Sequence, residues 1–451
     1  MVPSNQARHV VAVIGAATAG SEIARILAQR GALVIVFEQN LRPYGKIEDG
    51  LPKWHVKQRK DEYEEINQRL EHPNIEFVPG SRLGRDIDFE ELRTQWGLNV
   101  IVLTHGAWRD RPFPVEGADQ FIDRGLVYQN PLIYWFNHYL EKTYDGPRYE
   151  LISGAIVVGG GLASIDVVKV LQIEMTLKEL AARGITEDMV RLEREGVEPV
   201  VQSHGLKYAD LAIKPCRLFY RRRVIDMPLS DVPPDAPPKR QEAMRNARGK
   251  ILEKAMRKFL FEFQELRVPT GIIVENGQMV GVKFSRTEVA GGQVRTVPDT
   301  GEEVRGGMII SSIGSIPEPI QGVPQKGEVY QYRDVKTGLL FDGPTAVFAA
   351  GNVLTGKGNI KDSLESGTEI GTIVAESYLG LTDAKVPLAE VARYNAEIEA
   401  EKIAAVMETR ADVSRGQIDA ILVRVRARQQ AVGYHGNYRE WIAKVTPSDL
   451  Q

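Results

Sequence analysis

Apolar residues fall in short runs along the chain, each broken by glycine or a charge and most followed by a stretch of helical spacing. Val10, Val11, Val13 and Ile14 make the first run and predict a strand buried on both faces. It stops at Gly15, and Ile23, Ile26 and Leu27 then share one face of a helix predicted over 21–29. A second run, Leu33 to Phe37, ends in Glu38. Farther on, Val56 to Leu70 reads as a charged helix stopped by Pro73, Phe89 to Trp96 as a second helix, and Asn99 to Thr104 as a buried strand closing on His105, Gly106 and Ala107. A glycine directly after a central strand implies close approach of the backbone to a ligand. The stretch from 108 to 150 is a connection with a short aromatic helix, PLIYWFNHYL, whose rings read as core.

The opening pattern then recurs. AIVVGGGLASIDVVKVLQI, from Ala155, is again strand, glycine turn and helix, a self-similar copy one domain length later. A charged helical insertion over 172–212 separates it from the next strand, CRLFYRRRVIDMP, which ends in Arg221, Arg222 and Arg223. A proline-rich loop leads to a basic helix between Lys239 and Lys258. Strands follow to about Val304, two of them joined by the turn Glu275-Asn276-Gly277-Gln278, and MIISSIG closes as a buried strand. From Ala346 the order is strand, Gly351-Asn352 turn, glycine loop and helix, and 386–451 is a charged, helix-forming tail.

A strand, tight turn and helix, with an acid about 20 residues past the turn, is the arrangement that binds a dinucleotide. The helix start offers unpaired N–H groups and about half a positive charge to a pyrophosphate, and glycines let it approach. Gly15 and Gly20 meet the G-x-G-x-x-G spacing, with Ala17 in the middle position. Glu38 suits a ribose 2′-hydroxyl and its charge would repel a 2′-phosphate, which favours FAD or NAD over NADP at this site. In the second unit Gly159, Gly161 and Ser164 take the fingerprint positions, and no acid follows. Arg221 and Arg222 stand there instead, and guanidinium forks suit a 2′-phosphate, so this site should prefer NADPH. A solvated basic strand end is the other reading.

Composition narrows the class. A chain of 451 residues implies about two or three domains. A net charge of −3 argues against nucleic acid, no run approaches the roughly 18 apolar residues of a membrane span, and MVPSNQARHV lacks a signal-peptide core, so a cytoplasmic location is the expectation. With Cys216 the single cysteine, neither a redox disulfide nor a cysteine-ligated cluster can form within the chain, and electrons must leave by another route.

From Val10 to about Leu381 the chain resembles the adrenodoxin reductase and glutamate synthase small-subunit group of flavoproteins. GAATAG, GKIEDGLPKWHV, THGA, the WFN of Trp135 to Asn137, GGGLASID, YRRRVIDMP, IISSIG and AAGNVLTGKG carry the resemblance in collinear order. It implies an α/β fold with two Rossmann-like, three-layer ββα-type nucleotide-binding domains and a C-terminal helical extension. The FAD domain would be discontinuous, 1–110 and 335–385, the NADP domain 111–334, and the extension 386–451. It further implies that Gly15, Ala17, Gly20, Glu38, Gly45, Gly106, Gly351 and Asn352 line FAD, with Gly358 and Ile360 beside the flavin ring. Gly159, Gly161, Ser164, Arg221 and Arg222 would hold NADPH. His55 falls where members have a histidine near the flavin, which offers a proton relay; a packed loop histidine is the alternative. Ala17, His105, Leu162 and Asn352 depart from the group's usual residues, and its cysteine-rich amino-terminal cluster domain is absent from the sequence.

The expected function is an FAD-dependent NADPH oxidoreductase that passes a hydride to the flavin and electrons onward to a protein acceptor. That acceptor would be an acidic ferredoxin-like or flavodoxin-like protein met by the basic helix, or a catalytic partner subunit. A flavin-impaired scaffold subunit and a glutamate synthase-like electron-delivery subunit are the alternatives. The tail is expected either to oligomerise, to hold a partner, or to pack back on its own chain.

Overall fold

The computed structural model describes residues 7–381, 412–447 and 450, apart from 231, 233 and 234. The chain opens with β1 (Val10–Ile14), α1 (Thr18–Gln29), β2 (Leu33–Phe37), α2 (Val56–Leu70), β3 (Ile75–Val78), α3 (Phe89–Gln95) and β4 (Val100–Leu103). Next come β5 (Leu126–Tyr128), α4 (Gln129–His138), β6 (Ile156–Gly159), α5 (Leu162–Ala181), α6 (Met189–Glu195), α7 (Val197–Ser203), β7 (Arg217–Phe219), α8 (Pro238–Phe259) and β8 (Glu262–Gln264). Four strands, β9 (Arg267–Glu275), β10 (Gln278–Ala290), β11 (Gln293–Thr296) and β12 (Glu302–Arg305), precede β13 (Ile309–Ser312). Last are β14 (Leu339–Phe341), β15 (Ala346–Ala349), α9 (Ile360–Thr372), α10 (Arg415–Ala431) and α11 (Tyr438–Val445).

These elements form two compact units. One takes residues up to Leu51, 56–109 and 316 onward; the other takes 52–55 and 110–315. The first is built on a six-stranded sheet in the order β14-β15-β4-β1-β2-β3, parallel except for β14. Its strands are apolar throughout because both faces are covered. Val11, Val13, Val34 and Val36 point into the layer containing α1 and α9, while Val10, Ala12, Leu33 and Ile35 point into the opposite layer with Phe89 and Leu92 of α3. The α1 helix starts at Thr18, earlier than its apolar spacing indicates, because the glycine turn leads straight into it.

The second unit holds a five-stranded parallel sheet, β5-β13-β6-β7-β8. One face packs on α4, α5 and α8, with Leu132, Phe136, Val168 and Leu252 in that layer. The other packs on the antiparallel insert centred on β10, through Met279, Val282 and Phe284. Asn276 and Gly277, at φ of 49° and 75°, turn β9 into β10, as the Asn-Gly pair predicts. The strand β7 ends at Phe219, so the three arginines lie beyond it in the following turn.

The tail over 386–411 lies outside the described residues. The part that is described packs back on the first unit: Ile418, Ile421 and Val425 of α10 enter one layer, and Tyr438, Trp441 and Ile442 of α11 the other. Arg426 forks onto Glu76 of β3 at 2.6 and 2.7 Å, and Gln429 donates to the Phe77 carbonyl at 2.8 Å, covering the sheet's edge strand. Of the alternatives expected for the tail, packing back on its own chain is the one seen for these described helices.

The tightest joint is between α1 and its turn. A Cβ at Gly20 would lie 1.8 Å from the Gly15 carbonyl oxygen, which is backbone and cannot give way. Replacing Gly20 by Ala should therefore cost about 3 kcal/mol in urea unfolding; a loss under about 1 kcal/mol would contradict this packing.

Candidate functional site

Three adjacent parallel strands of the first unit end at one edge, where β1 runs into Gly15, β4 into Thr104 and β15 into Ala350. Between β1 and β4 the winding reverses, the place where open α/β sheets bind ligands. Gly15 has φ +99°, and a Cβ there would sit 2.8 Å from the Thr104 carbonyl oxygen. Thr104 fixes the turn, its hydroxyl 2.7 Å from the Gly15 carbonyl oxygen and 2.8 Å from that of Ile14. Behind it α1 begins at Ala17 with no side-chain cap, so its first amides are open toward that edge.

Two loops converge on the same helix start. A Cβ at Gly45 would lie 3.0 Å from the Cβ of Ala17, and one at Gly351 would lie 2.9 Å from the Cβ of Ala19. The Gly351 amide donates to the Ser366 hydroxyl at 2.9 Å. Gly106 has φ +76° in a turn where Trp108 Nε1 donates to the His105 carbonyl at 2.7 Å, and the Lys46 ammonium stands 5.5 Å above the Trp108 ring. Gly358 lies near Asn352, and Ile360 begins α9 behind its cap, Asn359. Gly15, Ala17, Gly20, Gly45, Gly106, Gly351 and Asn352 therefore come together in one unit.

Glu38 closes the far side. It is 4% exposed; one carboxylate oxygen accepts from the Ala16 amide and the other from the Asn40 amide, each at 2.9 Å. Asn40 also donates from Nδ2 to Asp49 at 3.1 Å, so two carboxylates share one bridge. Burial pushes the Glu38 carboxyl up to about 7, with the two amides opposing and Asp49 adding to the rise. The sequence reading gave Glu38 a fixed negative charge; near neutral pH the buried group instead carries only part of it.

Two buried acceptors at this edge lack donors among the described residues. Tyr330 donates its one proton to the Glu318 carbonyl, so it accepts from His105 Nε2 at 3.1 Å. Burial and the Arg82 charge hold His105 down at about 4, hence neutral. Its Nδ1 is then a bare acceptor with no partner, as is the Asn352 Oδ1. A ligand rich in hydroxyl donors on this edge would satisfy both.

In the second unit, α5 starts at Gly161, again with no side-chain cap. A Cβ at Gly160 would strike the Tyr220 ring at 2.1 Å, whereas the only atom near one at Gly161 is Pro228 Cγ at 4.0 Å, leaving that turn open. Ser164 does not face the opening. It is fully buried and donates to the Ser312 carbonyl at 3.0 Å, tying α5 to β13, because this position is the close-packing one of the fingerprint. Past β7, Arg223 is committed to Asp226 at 2.9 Å. Among the described residues the Arg221 and Arg222 guanidiniums make no hydrogen bond or ion pair.

His55 belongs to this second unit, in the segment Pro52–His55. Trp54 beside it packs on Phe136 at 5.2 Å and lies under the Lys169 ammonium. The Asp166 carboxyl, pushed up by burial, is held down in part by Lys169 and by His55. Thr104, Asn40 and Asp49 were not singled out in the sequence, since none lies in a fingerprint position. His105 was visible there as an unusual residue after a strand, without a role. Among the described residues no group of His, Cys, Asp and Glu could hold a metal ion, and no helix is long and apolar enough to cross a membrane.

No family model matches the chain. The NADPH-Fe(3+) oxidoreductase subunit beta of Geobacter sulfurreducens is 27% identical over 335 residues, 70% of this chain and 39% of that protein. The NADPH glutamate synthase small chain of Bacillus subtilis is 30% identical over 170 residues, 37% of this chain and 33% of that one. The chain thus spans less than half the length of these curated relatives. The solved structure of FprA from Mycobacterium tuberculosis in complex with NADPH matches with a TM-score of 0.65 at 17% identity, covering 94% of this chain and 90% of FprA. The fold is that of FprA, and the chain resembles the adrenodoxin reductase and glutamate synthase small-subunit group.

The Glu38 carboxyl sets a pH dependence. Its folded value of about 7 lies above the ordinary 4.5, so the folded chain holds the extra proton between them. Stability from this group is greatest at the acid end and is lost as pH rises through 7, by at most about 3 kcal/mol. In urea unfolding of the ligand-free chain at pH 5.5 and 8, Glu38→Gln should flatten this fall; an unchanged slope would refute the assignment.

Proposed function

We propose that this chain is an NADPH-dependent flavoprotein oxidoreductase, with FAD in the first cradle and NADPH in the second, delivering electrons to a protein acceptor. The observation that carries the reading is the contrast between the two cradles. One ends in a buried carboxylate and the other in two guanidiniums without partners among the described residues, so each would select a different dinucleotide.

The residues present fit both groups. The uncapped start of α1 would take the FAD pyrophosphate, and Glu38 would accept from its ribose. His105 Nδ1 and Asn352 Oδ1, the two buried acceptors, suit hydroxyl donors of the same ligand. The Ala17 methyl faces Gly45, whose missing side chain leaves the room that Ala17 takes. In the second unit Gly161 would open α5 to a pyrophosphate, Gly159 leaves the room that Ser164 and the Ser312 carbonyl take, and Arg221 and Arg222 would grip a 2′-phosphate.

A bound flavin would supply the chemistry of taking up a hydride and giving electrons out singly. The protein's part is to hold the rings and exclude water. Gly358 and Ile360 would flank the flavin ring without adding a charge. His55 would offer a proton relay, with a packed loop histidine the alternative. On α8, Lys239, Arg240, Arg245, Lys250, Lys254 and Arg257 are exposed, a face suited to an acidic ferredoxin-like or flavodoxin-like acceptor.

A second reading, an electron-delivery subunit of a larger complex, is favoured by the relatives' names, since both are subunits or chains of larger enzymes. A stoichiometric partner that co-purifies with the chain would select it.

The purified protein should be yellow, and NADPH should bleach it faster than NADH. Replacing Arg221 and Arg222 by Ala should raise the KM for NADPH about 10- to 100-fold and leave that for NADH unchanged, as expected for lost charge-assisted bonds. A colourless chain that takes up no FAD would sink the proposal.

A further inference from the structure

The loop between Glu38 and Gly50 carries two residues assigned above to FAD, Glu38 and Gly45. Bonds within the loop hold its two ends: Asn40 to Glu38, and the single helical turn Lys46–Asp49. Its middle is gripped by the far end of the chain. Trp441 Nε1 donates to the Leu41 carbonyl at 2.8 Å. Arg42 donates to the Val445 carbonyl at 3.1 Å while pairing at 2.7 Å with Glu48, itself 3% exposed. Tyr44 and Tyr438 both donate to Asn67 Oδ1, at 3.2 and 2.8 Å. The floor is closed as well: a Cβ at Gly80 would lie 2.9 Å from Val432 and 3.7 Å from Leu41, and the Gly80 amide donates to the Asn40 carbonyl.

The geometry points to a cofactor-retaining clamp: the C-terminal helices, through Tyr438 and Trp441, fix the loop that presents Glu38 and Gly45 to the first cradle. This rests on the assignment of FAD to that cradle. Left to itself, a loop containing Pro43, Gly45 and Gly50 samples many conformations, and a ligand that needs one of them binds more weakly by the fraction of time it is absent. Tyr438 and Trp441 are positioning residues: Trp441 bonds the loop directly at Leu41, Tyr438 shares the Asn67 acceptor with the loop's Tyr44, and neither is assigned contact with the cofactor. Tyr434 lies on the same segment and packs edge-on to Trp441 and Phe77, yet among the described residues its hydroxyl bonds neither the loop nor Asn67. It is the internal control.

The test uses the full-length chain. FAD release is followed by flavin fluorescence, and exchange of the amides of residues 40–50 by mass spectrometry. Tyr438→Phe keeps its ring and Trp441→Phe keeps an aromatic side chain, and each removes one bond; each should speed FAD release about fivefold, and the pair about 25-fold, with faster loop exchange and unchanged affinity for NADP in the other unit. Tyr434→Phe should leave both readouts unaltered. Release rates within twofold of the unaltered chain, or equal weakening by Tyr434→Phe, would overturn the clamp. If the unaltered chain holds no FAD, the cofactor assignment fails first, a separate result from FAD that binds and is indifferent to the tail.

Discussion

The close seat of each helix on the turn before it governs the rest of the molecule. Parallel strands must be joined by crossovers, and in both units the crossover helix starts directly after a glycine turn. In the first unit Gly20 lets α1 lie against the Gly15 carbonyl. In the second, Ser164 holds the equivalent seam with a hydrogen bond to β13. Neither helix has a side-chain cap, so both leave open amides and the positive end of a dipole at the carboxyl edge of a sheet. Everything assigned to nucleotide binding follows from that placement.

Charge then separates the two edges. Burial of Glu38 costs its ionised form enough to bring the carboxyl near neutral pH, and two backbone amides keep it from rising further. The group is thus a hydrogen-bond acceptor first and a repelling charge second. Arg221 and Arg222 lie in the turn past β7, the first exposed and the second half-buried, and Arg223 is spent on Asp226. The same position in two copies of one motif has been given opposite chemistry by its surroundings.

The C-terminal helices show how distant sequence can complete a folded unit. They cover the exposed edge strand β3 and reach the loop after β2, nearly the whole length of the chain away. Buried aromatic contacts anchor them, Phe77 meeting Tyr438 edge-on at 5.3 Å. The unit that opens the chain is therefore finished by its last elements.

Local pattern was enough for the strand, turn and helix order, the two fingerprints, the Asn-Gly hairpin and the contrast between Glu38 and the arginines. Those features rest on periodicity and turn chemistry, which neighbouring residues decide among themselves. The sequence could not show that Asn40 would bridge Glu38 to Asp49, that Ser164 would face a strand rather than the opening, or that His105 would be left with a bare acceptor. It also left open whether the tail packs inward, because an amphipathic helix buries its face against whatever surface is offered. Such outcomes depend on contacts between residues hundreds of positions apart, and only the assembled sheets determine which of those meet.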